Sequence, residues 1–229
     1  MQAATAFQRG ERGLDNQKLQ LYIEELIPKR TELLTEIEQY AQENEIPIME
    51  IVGIEALLQL LRIQNPQTIL EVGTAIGYSS LRMAYALPDA KIITIERDES
   101  RLQKAVEYIG KAAKQEQIII INGDALEVEE QIKPHGPFDV IFIDAAKGQY
   151  QRFFDLYSQY LADGGLIITD NVLFKGLVAE AMIDSRSLRA LVRKIRNYNS
   201  WLMEHPDYHT VIIPVGDGIA ISKKRGEQG

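Results

Sequence analysis

The sequence predicts an α/β protein: a seven-stranded, mostly parallel, Rossmann-like sheet, preceded by N-terminal helices and closed by a C-terminal antiparallel hairpin strand. Three observations carry this. From residue 67 onward, five short β-branched runs alternate with helical stretches, the pattern of parallel strands covered on both faces. Residues 15–64 show helical spacing only. Near the C-terminus, two β runs are joined by the short turn Val215-Gly216-Asp217, a hairpin signal.

The elements follow in order. Leu19, Tyr22, Ile23 and Leu26 lie at helical spacing and Pro28 closes that segment. Leu33, Leu34, Ile37 and Tyr40 repeat the period up to the break at 45–47. A third helix, about 50–63, carries Ile54, Leu57, Leu58 and Leu61 on one face and ends at Asn65-Pro66. Strands are expected at 68–73, 91–96, 117–122, 138–144 and 165–170, with helices at about 78–87, 99–114, 125–132 and 149–161 between them. A helix at about 185–200 leads to the hairpin strands 209–214 and 218–223. Residues 1–14 read as a frayed tail or appended remnant. Residues 15–229 read as one domain, helices over 15–64 and the Rossmann-like core over 67–229.

Composition narrows the chemistry. The 229 residues hold 25 Lys+Arg against 33 Asp+Glu, a formal charge of −8, with no cysteine and three histidines. Disulfides, thiol catalysis and Cys-ligated metals are excluded, and a His-rich metal site is not expected. The acidity argues against indiscriminate nucleic-acid binding but leaves room for a local basic patch. There is no signal-peptide pattern and no apolar run of membrane-spanning length, so a cytoplasmic protein without a membrane partner is expected.

In open α/β sheets ligands sit beyond the carboxyl ends of the strands, where strand order reverses. The first strand runs into Glu71-Val72-Gly73-Thr74-Ala75-Ile76-Gly77-Tyr78-Ser79-Ser80. An ordinary tight strand-to-helix turn would account for the glycines alone. The P-loop lysine is absent, the spacing is not G-x-G-x-x-G, and Glu71 would repel a pyrophosphate while suiting a cation. S-adenosyl-L-methionine, with an ammonium, a sulfonium and no phosphate, fits that charge. Glu96 at the next strand end suits two ribose hydroxyls, and Asp124 with the following backbone at Ala125 suits an adenine edge.

The fourth strand ends in Asp144-Ala145-Ala146-Lys147 and the fifth in Asp170-Asn171. Two carboxylates and an amide oxygen form a hard donor set suited to Mg²⁺, Mn²⁺ or Ca²⁺. Lys147, three residues after Asp144, is placed to serve as a general base. The competing reading makes Asp144 and Asp170 helix N-caps and Lys147 a surface charge.

The segments LEVGTAIGYSS, Glu96, GDA, FIDAAKGQY and TDN, in this order, resemble the metal-dependent catechol and caffeoyl-CoA type O-methyltransferases of the class I methyltransferase fold, over roughly residues 45–222. The resemblance implies metal ligation by Asp144, Asp170 and Asn171 and a lysine base at Lys147. It implies cofactor contacts at Glu71, Gly73, Thr74, Ser79, Glu96, Asp124, Ala125 and Asp144, with Met49 closing over the cofactor. The segments YIEELIPKR, PIME, TDNVLFKGLVAE, WLMEHPDY and IPVGDGIAISKK are similar to the bacterial tRNA 5-hydroxyuridine methyltransferases. That likeness implies methylation of a wobble 5-hydroxyuridine to 5-methoxyuridine, a tRNA partner and a homodimer.

Arg186, Arg189, Arg193 and Arg196 fall on one face of a helix, opposite Leu188, Leu191, Val192 and Ile195. They are either the wet side of an ordinary amphipathic helix or a phosphate-binding face for tRNA. Trp201, Tyr150 and Phe174 are candidates for stacking on a base or for plain packing. Three readings follow: a tRNA hydroxyuridine O-methyltransferase, an O-methyltransferase of small catechols or vicinal phenols, and a non-catalytic cofactor-binding module.

Overall fold

The computed structural model describes residues 16–226; the expected tail at 1–14 lies outside them. Three helices come first: α1 (Asn16–Leu26), α2 (Glu32–Glu43) and α3 (Ile51–Gln64). Thr31 caps α2 by accepting from the Leu34 amide at 3.4 Å, an N-terminal donor that would otherwise go unpaired. Asn65 ends α3 in the left-handed region ahead of Pro66, a C-terminal stop.

The core then alternates: β1 (Thr68–Val72), α4 (Tyr78–Ala86), β2 (Lys91–Glu96), α5 (Glu99–Lys111), β3 (Ile118–Asn122), α6 (Glu129–Ile132), β4 (Phe138–Ile143), α7 (Tyr150–Tyr157), β5 (Leu161–Thr169) and α8 (Arg186–Glu204). The hairpin β6 (Tyr208–Ile213) and β7 (Ile219–Lys224) completes it. The seven strands lie in the order β3-β2-β1-β4-β5-β7-β6. Strands β1 to β5 pair in parallel, and β7 runs antiparallel between β5 and β6. Strand order reverses between β1 and β4, which places the ligand crevice at their carboxyl ends.

Strand alternation sends residues to two cores. Ile69, Ile92, Val140, Phe142 and Ile168 face one side, where Ile37, Ile54, Leu57 and Leu81 of α2, α3 and α4 cover them. Leu70, Val72, Ile93, Ile141 and Ile167 face the other, against Phe154, Tyr157, Tyr198 and Leu202 of α7 and α8. Each such fully buried side chain contributes about 1.5–3 kcal/mol. The N-terminal helices are therefore part of the main core and need no separate one.

Helix α5 stops at Lys111 and α8 runs on to Glu204, and three other boundaries also depart from the sequence reading. The helix expected at 125–132 shrinks to α6, because Asp124 accepts from the Leu126 amide at 2.9 Å and its carbonyl from Glu127 at 2.8 Å, making a turn there. Strand β5 begins at Leu161, pairing with Phe138 before an irregularity and resuming at Leu166 opposite Val140. Helix α7 stops at Tyr157, and Ser158–Tyr160 tightens into a 3₁₀ turn. Among the described residues no helix is long and apolar enough to cross a membrane.

Candidate active site

One cavity of about 680 Å³ lies over the carboxyl ends of β1, β2, β3, β4 and β5. It is lined by Met49, Gly73, Thr74, Ser79, Glu96, Asp124 and Ala125 on one side and by Asp144, Lys147, Asp170 and Asn171 on the other. The structure thus gathers the residues predicted for the cofactor and the metal around a single space, with Glu71 the exception.

Glu71 is fully buried behind the loop. Its carboxylate accepts from the hydroxyls of Ser79 (2.5 Å), Ser80 and Thr94 (2.6 Å), and is linked to the cavity wall through Ser79 and, by way of Thr94, through Thr74. Burial raises its pKa to about 7, against the opposing pull of the three hydroxyls. Alternation explains the place: Glu71 shares a strand face with Ile69, directed at α4. The Thr74 hydroxyl is likewise turned inward to Thr94 at 2.6 Å, leaving its backbone for the cavity.

Gly73 serves a close approach. At φ +111° a Cβ there would stand 2.0 Å from the Asp144 carbonyl oxygen, because the Asp144 amide donates to the Val72 carbonyl at 2.9 Å. The glycine lets the β1 and β4 ends touch, bringing cofactor loop and acidic cluster within one cavity. Gly77, at φ +84°, then starts α4.

Glu96 is held by backbone donors: Ala75 (2.8 Å), Arg97 (2.9 Å) and Asp98 (2.8 Å). Two carboxylate oxygens have about four acceptor sites, so it retains capacity for a ligand hydroxyl. Asp124 accepts from the Leu126 amide and pairs with Arg97 at 3.0 Å; the Leu126 bond, ahead of Arg97, holds its carboxyl below the usual range against the cost of burial.

Across the cavity, the ladder continues past the strand ends: the Asp170 amide donates to Ile143 at 3.1 Å, setting Asp170 beside Asp144. The Tyr150 hydroxyl donates to the Asp170 carbonyl at 2.9 Å. Lys147 donates to the Asn171 Oδ1, and the Asn171 amide donates to Asp170 Oδ2 at 3.0 Å. Burial first, then the neighbouring Asp144, pushes Asp170 up to about 8; burial likewise raises Asp144, opposed by Lys147. Two adjacent carboxylates, Asp170 buried and Asp144 partly exposed, resist ionising together, and a bound cation would relieve that. Among the described residues no group of three or more His, Cys, Asp or Glu could hold a metal. The set here is two carboxylates and an amide, whose hard oxygens fit an oxygen-seeking divalent cation. Neither aspartate caps a helix, and Lys147 lies in the cavity wall, so the competing cap reading fails.

Asn171, Phe174 and Lys175 all have positive φ (57°, 46° and 53°). This is uncommon for non-glycine residues and costly for a bulky one. The turn between β6 and β7 holds them. Val172 and Leu173 donate to the carbonyls of Gly218 (3.1 Å) and Asp217 (3.0 Å), and the Lys175 amide donates to the Asp217 carboxylate. Asp217 also lines the cavity; sequence reasoning misses it, because nothing but its place in a turn marks it. Tyr150 and Trp201, candidates for base stacking, are packing residues. Tyr150 is 1% exposed, and Trp201 sits among Phe154, Tyr198 and His205. Phe174 alone of the three lines the cavity, its ring 5.9 Å from the Lys147 ammonium.

The four arginines line a separate groove with Ile183 and Val192. Arg189 donates to the carbonyls of Ile183 (3.0 Å) and Asp184 (3.2 Å). Arg196 donates to those of Val178 (2.8 Å), Glu180 (2.5 Å) and Leu177 (3.5 Å). Arg186 and Arg193 make no hydrogen bond or ion pair with the described residues.

A sequence profile described as O-methyltransferase matches residues 24–225. Caffeoyl-CoA O-methyltransferase 2 of Populus trichocarpa is 31% identical over 224 residues, 92% of this chain and 90% of that protein. A crystal structure from Staphylococcus aureus, provisionally described as a caffeoyl-CoA O-methyltransferase, superposes with a TM-score of 0.84 at 38% identity, covering 92% of this chain and 99% of that one. The Streptomyces achromogenes O-methyltransferase TomG, solved with S-adenosylmethionine, gives a TM-score of 0.77 at 26% identity over 91% and 96% of the two chains. The fold is that of the class I methyltransferases, and the chain belongs to the O-methyltransferase family.

Proposed function

We propose that this protein transfers a methyl group from S-adenosylmethionine to a hydroxyl that stands beside a second oxygen, as in a catechol. The observation that carries the reading is the meeting of Asp144, Lys147, Asp170 and Asn171 with Glu96 and Asp124 around one cavity. Relatives named for caffeoyl-CoA support a phenolic acceptor, and the TomG complex supports the methyl donor. When bound, S-adenosylmethionine supplies an electrophilic sulfonium methyl, and a divalent cation supplies Lewis acidity that favours the ionised hydroxyl.

Glu96 would receive the ribose hydroxyls, and Asp124 with the Ala125 backbone would take the adenine edge. Asp144, Asp170 and Asn171 would hold the cation. Lys147, as the neutral amine, would accept the proton of the acceptor hydroxyl, and the cavity wall would aim the resulting oxygen at the donor's methyl group. Methyl ether, S-adenosylhomocysteine and one proton result. The chain's contribution is orientation and fixed charge. Incubating the protein with S-adenosylmethionine and catechol is expected to give the monomethyl ether by mass spectrometry. EDTA is expected to abolish it and Mg²⁺, Mn²⁺ or Ca²⁺ to restore it; turnover indifferent to EDTA would overturn the metal reading.

A second reading keeps the site and makes the acceptor a 5-hydroxyuridine of tRNA, whose 5-hydroxyl and 4-keto oxygens are vicinal in the same way. It is favoured by the uncommitted Arg186 and Arg193, local positive charge in a chain of net charge −8. Replacing both by alanine is expected to lower methylation of hydroxyuridine-containing tRNA roughly tenfold and flatten its salt dependence, leaving catechol turnover unchanged. Nucleoside analysis that finds no 5-methoxyuridine with the unaltered protein would sink this reading alone.

A further inference from the structure

We infer that Arg196, with Arg189 and Asn199, is a positioning residue that straps the 171–185 segment onto α8 and so fixes the substrate side of the cavity. The segment leaves the sheet at Asn171, supplies Phe174 and Lys175 to the cavity wall, and returns at the start of α8. Apart from one 3₁₀ turn at Leu177–Ala179 it forms no regular structure, so its carbonyls need partners from elsewhere.

Helix α8 supplies them, through side chains that reach successive parts of the segment. The Asn199 amide donates to the Val172 carbonyl at 2.8 Å. Arg196 covers the middle: its Nε donates to Val178 and one terminal nitrogen to Glu180 and Leu177. Arg189 takes Ile183 and Asp184 at the far end. Seven residue positions along α8 separate Arg189 from Arg196, two helical turns, which is why both project from the same side. The other border of the segment is fixed by the β6–β7 turn through Asp217 and Gly218. Only a planar guanidinium offers donors in a rigid fork at this reach; a lysine keeps the charge and loses the fork.

The strap works at a distance from the chemistry. Phe174 and Lys175 hold left-handed backbone conformations, which persist only when their surroundings over-determine them. Freeing 176–184 removes one of the two restraints, and the wall at Phe174 loses its fixed position. The cofactor side, built on β1, β2 and β3, makes no use of these bonds.

The inference rests on the reading of this wall as the acceptor side, and the test separates the two. In Arg196→Ala and Arg196→Lys, amide hydrogen exchange over 176–184 is expected to accelerate at least tenfold. KM for catechol is expected to rise about tenfold, with the dissociation constant for S-adenosylmethionine unchanged. The contrasting Arg193→Ala is expected to leave the exchange as it is. Unchanged exchange in Arg196→Ala, or full restoration of exchange and KM by lysine, would overturn the strap, since a surface charge is all that lysine retains. The exchange arm needs no turnover, so failure of the unaltered protein to methylate catechol removes the substrate reading and leaves the strap to be decided by exchange.

Discussion

The two sides of the cavity are built by different means. On the cofactor side, Glu96 and Asp124 sit at strand ends and are held mainly by amides of their own turns, Arg97 and Asp98 for one and Leu126 for the other, with the Ala75 amide of the β1–α4 loop added at Glu96. On the acceptor side, Asn171, Phe174 and Lys175 take positive φ, and their segment is held by groups far along the chain, Asp217 at Lys175 and Asn199 at Val172. The cofactor side is mostly local, with Ala75 its one lining non-glycine residue at positive φ, whereas the acceptor side is held from far along the chain and carries three. The contrast teaches where tolerance lies: the first is set whenever the strands form, whereas the second depends on helix α8 and the final hairpin docking correctly.

The sharpest way to break this comparison is at Asp170, which the acceptor side cannot replace. Asp170→Ala is expected to lower methyl transfer by roughly 10²–10⁴-fold, in the range for loss of a group acting directly on the reacting proton or charge. Cofactor affinity by calorimetry is expected to stay within about threefold. A comparable loss of cofactor binding would mean that the two sides are not separable.

The seam between the sides is Gly73. Gly73→Ala places a Cβ 2.0 Å from the Asp144 carbonyl oxygen, in a backbone conformation unfavourable to alanine. The change is expected to cost about 2–4 kcal/mol of stability in urea unfolding and to weaken cofactor binding and turnover together. Both sides failing at once is the signature of a shared seam; a variant with wild-type stability would refute the close approach.

The smallest effect concerns Glu71, behind the cofactor loop. Its folded pKa is raised from 4.5 to about 7, so between those values the native state binds more protons than the unfolded chain. Stability contributed by the protonated form is fully present below about pH 4.5 and declines as pH rises toward 7, by at most about 3 kcal/mol. Glu71→Gln, neutral at every pH, is expected to lose that decline in chemical-denaturation curves from pH 4.5 to 7.5. An unaltered slope would place the titration elsewhere.

Much of the site is legible in the amino-acid sequence. The β1–α4 loop, Glu96, Asp124, Asp144, Lys147, Asp170 and Asn171 each sit at or just beyond the end of a strand whose apolar run is visible there, and parallel strands in one sheet must deliver their ends to one edge. Local periodicity therefore determines which residues meet. Strand parity corrects one expectation: Glu71 shares the α4-facing side with Ile69, so it lies behind the wall rather than in it.

The sequence by itself also marks the amphipathic helix with its four arginines. Tertiary structure alone decides that two of them, Arg189 and Arg196, spend their donors on carbonyls of the preceding segment, while Arg186 and Arg193 keep theirs. It alone places Asp217 in the cavity wall and turns Tyr150 and Trp201 into packing. The physical reason is the same each time. Periodicity fixes which way a side chain leaves its own element, but a partner supplied by a loop with no period is set only when the whole sheet and its helices close together.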